Sequence, residues 1–154
     1  MPSERDFLQQ RLQRIEKHLE QVREFNVDEK GRFYVSYQNI PMRDNSLIRE
    51  ARLLEKLLVQ VEEGNISRAI SQWRKNLSEK LRLHREHYRP LQEEYDRWLS
   101  LPFPIRIDIP EPIEPPDLEI MDSQGREWVI DELLLGVFDD VFMRLKKWLE
   151  TDDE

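Results

Sequence analysis

Four stretches of this 154-residue chain place apolar residues at alternating steps of four and three. The first runs Leu8, Leu12, Ile15, Leu19, Val22 and the second Leu47, Ala51, Leu54, Leu58, Val61. The third runs Ile66, Ile70, Trp73, Leu77, Leu81, His84, Tyr88, Leu91, Tyr95, Trp98; the last runs Leu134, Phe138, Val141, Leu145, Trp148. A mean spacing of about 3.5 keeps one face of an α-helix turned toward another helix. A strand needs a period of two, so these stretches cannot be strands with one buried face. The third series has one step of four then four around Leu77 and Leu81, which locally unwinds a coiled coil.

The boundaries follow from capping chemistry. Ser3 with Asp6 resembles a capping box and opens a helix over 3–24. Asp44, Asn45 or Ser46 can each cap the second helix. Gly64 is expected as its C′ residue, with Asn65 capping the next helix at once. That connection favours an antiparallel helical hairpin over 46–100. Pro90 removes a backbone donor inside the third helix. Because the seam continues in phase past it, a kink is favoured over a break. The last helix is expected over 131–150, with Asp131 and Glu132 at its start.

Between the helices lie two hairpin candidates. Phe25–Val27 is expected to pair with Arg32–Gln38, with Gly31 left-handed in the turn. Leu118–Met121 is expected to pair with Arg126–Ile130 around Asp122 and Gly125. The two share a D-x-x-G-R pattern, read as a common turn rather than a duplication. Residues 101–117 hold six of the nine prolines. The alternation Ile105, Ile107, Ile109 suggests a strand, followed by an extended polyproline path. The expected architecture is mainly α in a single domain, 1–154: an antiparallel helical bundle or coiled-coil-like hairpin with one or two small β-hairpins and a Pro-rich extended arm. The seams can be satisfied within one chain; otherwise the first helix is the one expected to be shared with another molecule.

Composition narrows the function. Charged residues reach 36%, against about 25% in an average domain. Four Trp, four Tyr and six Phe still demand burial, which excludes full disorder. The absence of Cys excludes disulfides, thiolate metal sites and a Cys nucleophile. No leader-like run or membrane span is visible, so a cytoplasmic protein without membrane contact is expected. Residues 66–100 carry eight basic and five acidic groups, and 101–154 carry five basic and fifteen acidic ones. The basic middle and the acidic last third are therefore expected to meet within the fold.

No catalytic constellation emerges. His84 and His87 share a helix face, but no third ligand accompanies them. Asp139 and Asp140 interrupt an apolar stretch, yet a solvated face explains them. No Gly-rich phosphate loop and no nucleophile elbow is present. Two features point to partners instead. Arg68, Lys75, Arg82 and Arg89 recur every seven residues, flanked by Arg74 and Arg85, and such a stripe could grip an acidic partner or phosphates. Phe103, Ile105, Ile107, Ile109 and Ile113 form an arm that could dock a protein. The expectation is a non-enzymatic interaction module: an adaptor, assembly factor or small subunit, with a protein partner or a second copy and with no metal or cofactor. The alternatives are a nucleic-acid accessory subunit using the stripe, an acidic polyanion mimic, and an enzyme built only from carboxylates and His.

Overall fold

The computed structural model describes residues 3–20, 25–27, 33–37, 40–43, 46–123 and 125–151, with side chains described over 3–18, 46–123 and 125–151. The described residues are mainly helical. The helices are α1 (Glu4–Glu20), α2 (Ser46–Gln60), α3 (Ile66–His87), α4 (Arg89–Leu99), α5 (Phe103–Arg106) and α6 (Glu132–Thr151). The strands are β1 (Phe25–Val27), β2 (Phe33–Tyr37), β3 (Ile40–Arg43), β4 (Leu118–Met121) and β5 (Glu127–Ile130).

The seams fill one core. Leu8 and Ile15 of α1, Leu54 and Leu57 of α2, Ile66 and Ile70 of α3, and Leu134, Phe138, Val141 and Leu145 of α6 are all buried in it. Burying each such side chain contributes about 1.5–3 kcal/mol. Leu8 and Ile15 of the α1 seam are thus covered within the chain. Gly125 has φ +78° in the β4–β5 turn, where it relieves the steric cost a Cβ would impose. Asp122 closes that turn, its carboxylate accepting from the Arg126 N–H at 2.9 Å.

Several expectations need correcting. Helix α2 does not pack mainly on α3. Helix α6 packs against α1, α2 and α3 and is the central element. Accordingly α2 buries a wide face, with Ile48, Leu53, Leu54 and Leu57 deepest and Leu47, Ala51 and Leu58 only half-buried. A helix with neighbours on two sides needs more than a two-residue stripe. Helix α6 shows the same widening, since Leu135 and Val137 join its seam in the interior.

Pro90 splits the third helix rather than kinking it. Tyr88 leaves the helical region at φ −97°, ψ 9°, and α4 restarts with Pro90 in its first turn. Proline costs little there, because the missing N–H has no intrahelical partner. The strand over Ile105–Ile109 is not formed. Pro102, at φ −57° and ψ 142°, instead caps the one-turn helix α5, and Pro104 fits its first turn. Residues 110–117 have no regular structure.

The first hairpin pairs as the sequence suggests, with Phe25 opposite Val35 and Val27 opposite Phe33. Strand β3 was not foreseen. It lies at the sheet edge, where Pro41 opposite Ser36 need not donate to a further strand. Gly31, the cap candidates Asp44 and Asn45, Val22 and the side chain of Leu19 lie outside the described residues.

The α3 cap is also different. Helix α2 ends at Gln60, and Gly64, at φ +92°, sits in the loop that follows. The Asn65 side chain makes no capping bond. The start of α3 is capped instead by the buried carboxylate of Glu4 on α1. It accepts from the N–H groups of Gly64 at 2.8 Å, Ile66 at 3.3 Å and Ser67 at 3.0 Å, and from the Ser67 hydroxyl at 2.8 Å. Ser3 behaves as expected, its hydroxyl accepting from the Asp6 N–H at 2.9 Å.

Two ion pairs fix how α2 sits between its neighbours. Arg49 holds Asp131, just before α6, with both guanidinium nitrogens. Glu50 accepts two bonds from Arg11 of α1, at 2.7 and 3.2 Å. Arg49 and Glu50 are adjacent in sequence and both buried. The Arg11–Glu50 pair is largely buried, whereas the Asp131 side chain remains partly exposed.

Candidate functional site

Burial declines along α3 and is lost beyond it. Ile66, Ile70 and Leu81 of α3 are buried, whereas α4 and α5 bury no residue. Helix α4, α5 and the chain to Asp117 form a tip with its own small set of contacts. The chain folds back along α4. Trp98 donates its indole N–H to the Ile109 carbonyl at 3.3 Å, and the Tyr95 hydroxyl donates to Glu111 at 3.2 Å. Further on, His84 Nε2 lies 2.8 Å from the Pro116 carbonyl. Arg106 lies over the rings of Trp98 and Phe103, at 5.5 and 5.7 Å from their centroids. The α4 seam residues thus fold the Pro-rich chain onto α4 instead of packing in the main core.

The opposite side of that chain faces solvent. Phe103, Ile107 and Ile113 are 67%, 68% and 73% exposed. Ile105, Ile109 and Leu99 are also exposed. All five apolar residues singled out on the arm therefore lie at the surface. Charge frames them: residues 88–117 carry seven carboxylates and three arginines. Tyr95 has its hydroxyl pushed above the usual phenol range, by desolvation first and then by the Glu111 hydrogen bond and the charges of Glu114 and Glu111.

The basic stripe on α3 is partly consumed. Arg74 makes two bonds to Asp139 of α6, at 2.6 and 3.1 Å, and Arg85 pairs with Glu132 at 2.6 Å. Arg82 is held by Glu79 and Glu86 on its own helix. Among the described residues, Arg68, Lys75 and Arg89 have no carboxylate partner. The basic middle and acidic last third do meet, as the charge distribution suggested. Of the carboxylate candidates, Asp139 is occupied by Arg74. His84 and His87 both pack on the Tyr88 ring, each at 4.7 Å. Among the described residues, no three His, Asp or Glu side chains converge as a metal site would require.

One feature was not singled out in the sequence. A cavity of about 220 Å³ opens between α2, α3 and the β4–β5 hairpin, with Phe138 of α6 beneath it. Its two tryptophans, Trp73 and Trp128, are 55 positions apart, and each was assigned to a separate element. The one available signal was Trp128 in the hairpin pattern, too large a side chain for an isolated two-stranded ribbon to bury alone.

Compared with known proteins, the chain matches no family model, no curated protein and no solved structure.

Proposed function

We propose that this chain is a non-enzymatic protein-interaction module, a helical bundle that presents a Pro-rich arm to a partner protein. One observation carries the reading: the apolar side chains of Phe103, Ile107 and Ile113 stand in water at a tip that shares no buried residue with the main core. Large apolar side chains held in water cost free energy that docking recovers. The surrounding carboxylates select the partner's chemistry. A basic amphipathic segment would place its apolar side chains on the isoleucines and its Lys or Arg groups on the rim. Rim charges of this kind act mainly on association rate and partner choice.

The test compares proteins captured from a lysate by the wild type, by a Phe103→Ser/Ile107→Ser/Ile113→Ser variant and by an Arg68→Glu/Lys75→Glu variant. A partner held by the wild type and the stripe variant, and lost with the arm variant, is the expected result. An unchanged captured set with the arm variant overturns the reading. Circular dichroism of the arm variant is expected to match the wild type, because none of its three changed residues lies in the core.

Nucleic-acid binding through α3 has weaker support. Arg68, Lys75 and Arg89 remain available, but Arg74, Arg82 and Arg85 are neutralised by carboxylates. Binding that weakens steeply with salt and is lost on reversing Arg89 and Lys75 would favour it.

A further inference from the structure

The cavity beside the β4–β5 hairpin has a built chemistry independent of the arm. Its buried lining is apolar and aromatic, with Leu53, Trp128 and Phe138 all in the core. Trp73 forms a half-buried wall. Lys56 and Lys80 also line it, together with the amides of Gln60 and Asn76.

The two lysines are not equivalent. Lys56 lies 3.3 Å from the Asp122 carboxylate and 5.7 Å from the centroid of the Trp73 ring. The same carboxylate also accepts the Trp128 indole N–H at 2.9 Å. Asp122 therefore neutralises Lys56 and holds Trp128 at the cavity wall. Lys80 is exposed and has no carboxylate partner among the described residues. The lining thus has two cations and one anion, a surplus of a single positive charge around an apolar pocket.

Size and charge together define an occupant. An apolar cavity of about 150 Å³ takes up benzene, so 220 Å³ suits a fused two-ring system. A single surplus charge matches one carboxylate. We propose that this cavity is a binding site for a small aromatic monocarboxylate, its rings between Trp73 and Trp128 and its carboxylate at Lys80. Tryptophan faces favour aromatic guests in offset or edge-on contact. Asn76 has amide hydrogens free to assist, since its carbonyl oxygen already accepts from Gln72 at 3.1 Å.

The four tryptophans provide the readout. Trp73 and Trp128 line the cavity, Trp98 lies on the tip, and Trp148 packs on Phe7 at 5.9 Å. The ¹⁵N-labelled full chain would be titrated with naphthalene-2-carboxylate while the four indole N–H resonances are followed. Saturable shifts confined to Trp73 and Trp128 are expected, with a dissociation constant on the order of 0.1–1 mM for a ligand of that size. Naphthalene-2-carboxamide, and the carboxylate against a Lys80→Met variant, should each bind roughly two- to fivefold more weakly, as loss of one exposed charge contact implies. The free Lys80→Met spectrum should otherwise match the wild type. Absent shifts, shifts of all four indoles alike, equal binding of the carboxamide, or full affinity in Lys80→Met would each overturn the proposal.

Discussion

Glu4 and Glu63 cap two helices across one junction, Glu63 the start of α1 and Glu4 the start of α3. The Glu63 carboxylate accepts the N–H groups of Glu4 at 2.7 Å and Arg5 at 2.9 Å, at the start of α1. The Glu4 side chain, on that same turn, satisfies the start of α3. Each anion sits where aligned peptide dipoles leave partial positive charge. Arg5 ties the junction further by donating to the Val61 carbonyl at 3.1 Å. One crossing point therefore sets the relative position of α1, the α2–α3 loop and α3.

Removing the buried half of this exchange should be costly. Glu4→Ala leaves three backbone donors and the Ser67 hydroxyl without their acceptor, a loss of roughly 1–3 kcal/mol. Glu63→Ala removes a more exposed cap and should cost about 1 kcal/mol or less. Urea unfolding followed by circular dichroism measures both. Equal, negligible shifts in the midpoint would contradict the assignment.

Acid should weaken the fold through two carboxylates. Burial pushes Glu4 up, but the bonds from Ser67, Ile66 and Gly64 outweigh it and hold the group below its usual range. Burial likewise raises Asp131, and Arg49 with the Leu134 N–H more than reverses it. Both groups bind protons more weakly folded than unfolded. Their contribution is complete above the ordinary carboxylate range and is lost as pH falls through the folded values, from about pH 4 downward. The urea midpoint should fall between pH 5 and pH 3, and less steeply in Asp131→Asn, which can still cap α6.

Surface pairs should matter far less. Arg74 and Asp139 are both substantially exposed despite their two-bond geometry. Asp139→Ala should shift stability by less than about 1 kcal/mol, and the difference from wild type should shrink further at high salt. A larger loss measured by thermal unfolding would mean that Asp139 does more than solvate α6.

The tip should open without the core. Helix α4 has no buried residue, whereas α6 buries six. Local stability follows buried apolar contact. Amides of 92–99 should exchange with deuterium orders of magnitude faster than those of 138–145. Comparable protection in the two segments would show that α4 is anchored by more than Tyr95 and Trp98.

Much of this molecule was legible in its residues, and what was not has physical reasons. Heptad spacing located the main helices, and Gly125 located the second turn. A seam says that a face is covered, not which helix covers it, so the central place of α6 was invisible. Its extra apolar residues, Leu135 and Val137, were the available hint. Proline has two readings inside an apolar pattern, and the in-phase seam across Pro90 concealed a break that side-chain spacing does not record. Ile105 fits a strand as well as a helical turn, and Pro104 suits the first turn of α5, where its missing N–H costs little. The alternation of Ile105, Ile107 and Ile109 with polar residues drew attention to this stretch, and those isoleucines are exposed, although the strand it suggested is not formed. The cavity was not legible, because it exists only where three separate segments meet.

The central position of α6 also orders events in time. It is synthesised after every other described element, yet it covers the apolar faces of α1, α2 and α3. At about 5–20 residues per second, the ribosome needs on the order of a few seconds to travel from the end of α3 to α6. Until then those faces can only cover one another imperfectly. The nascent chain therefore carries partly uncovered apolar faces until α6 is made.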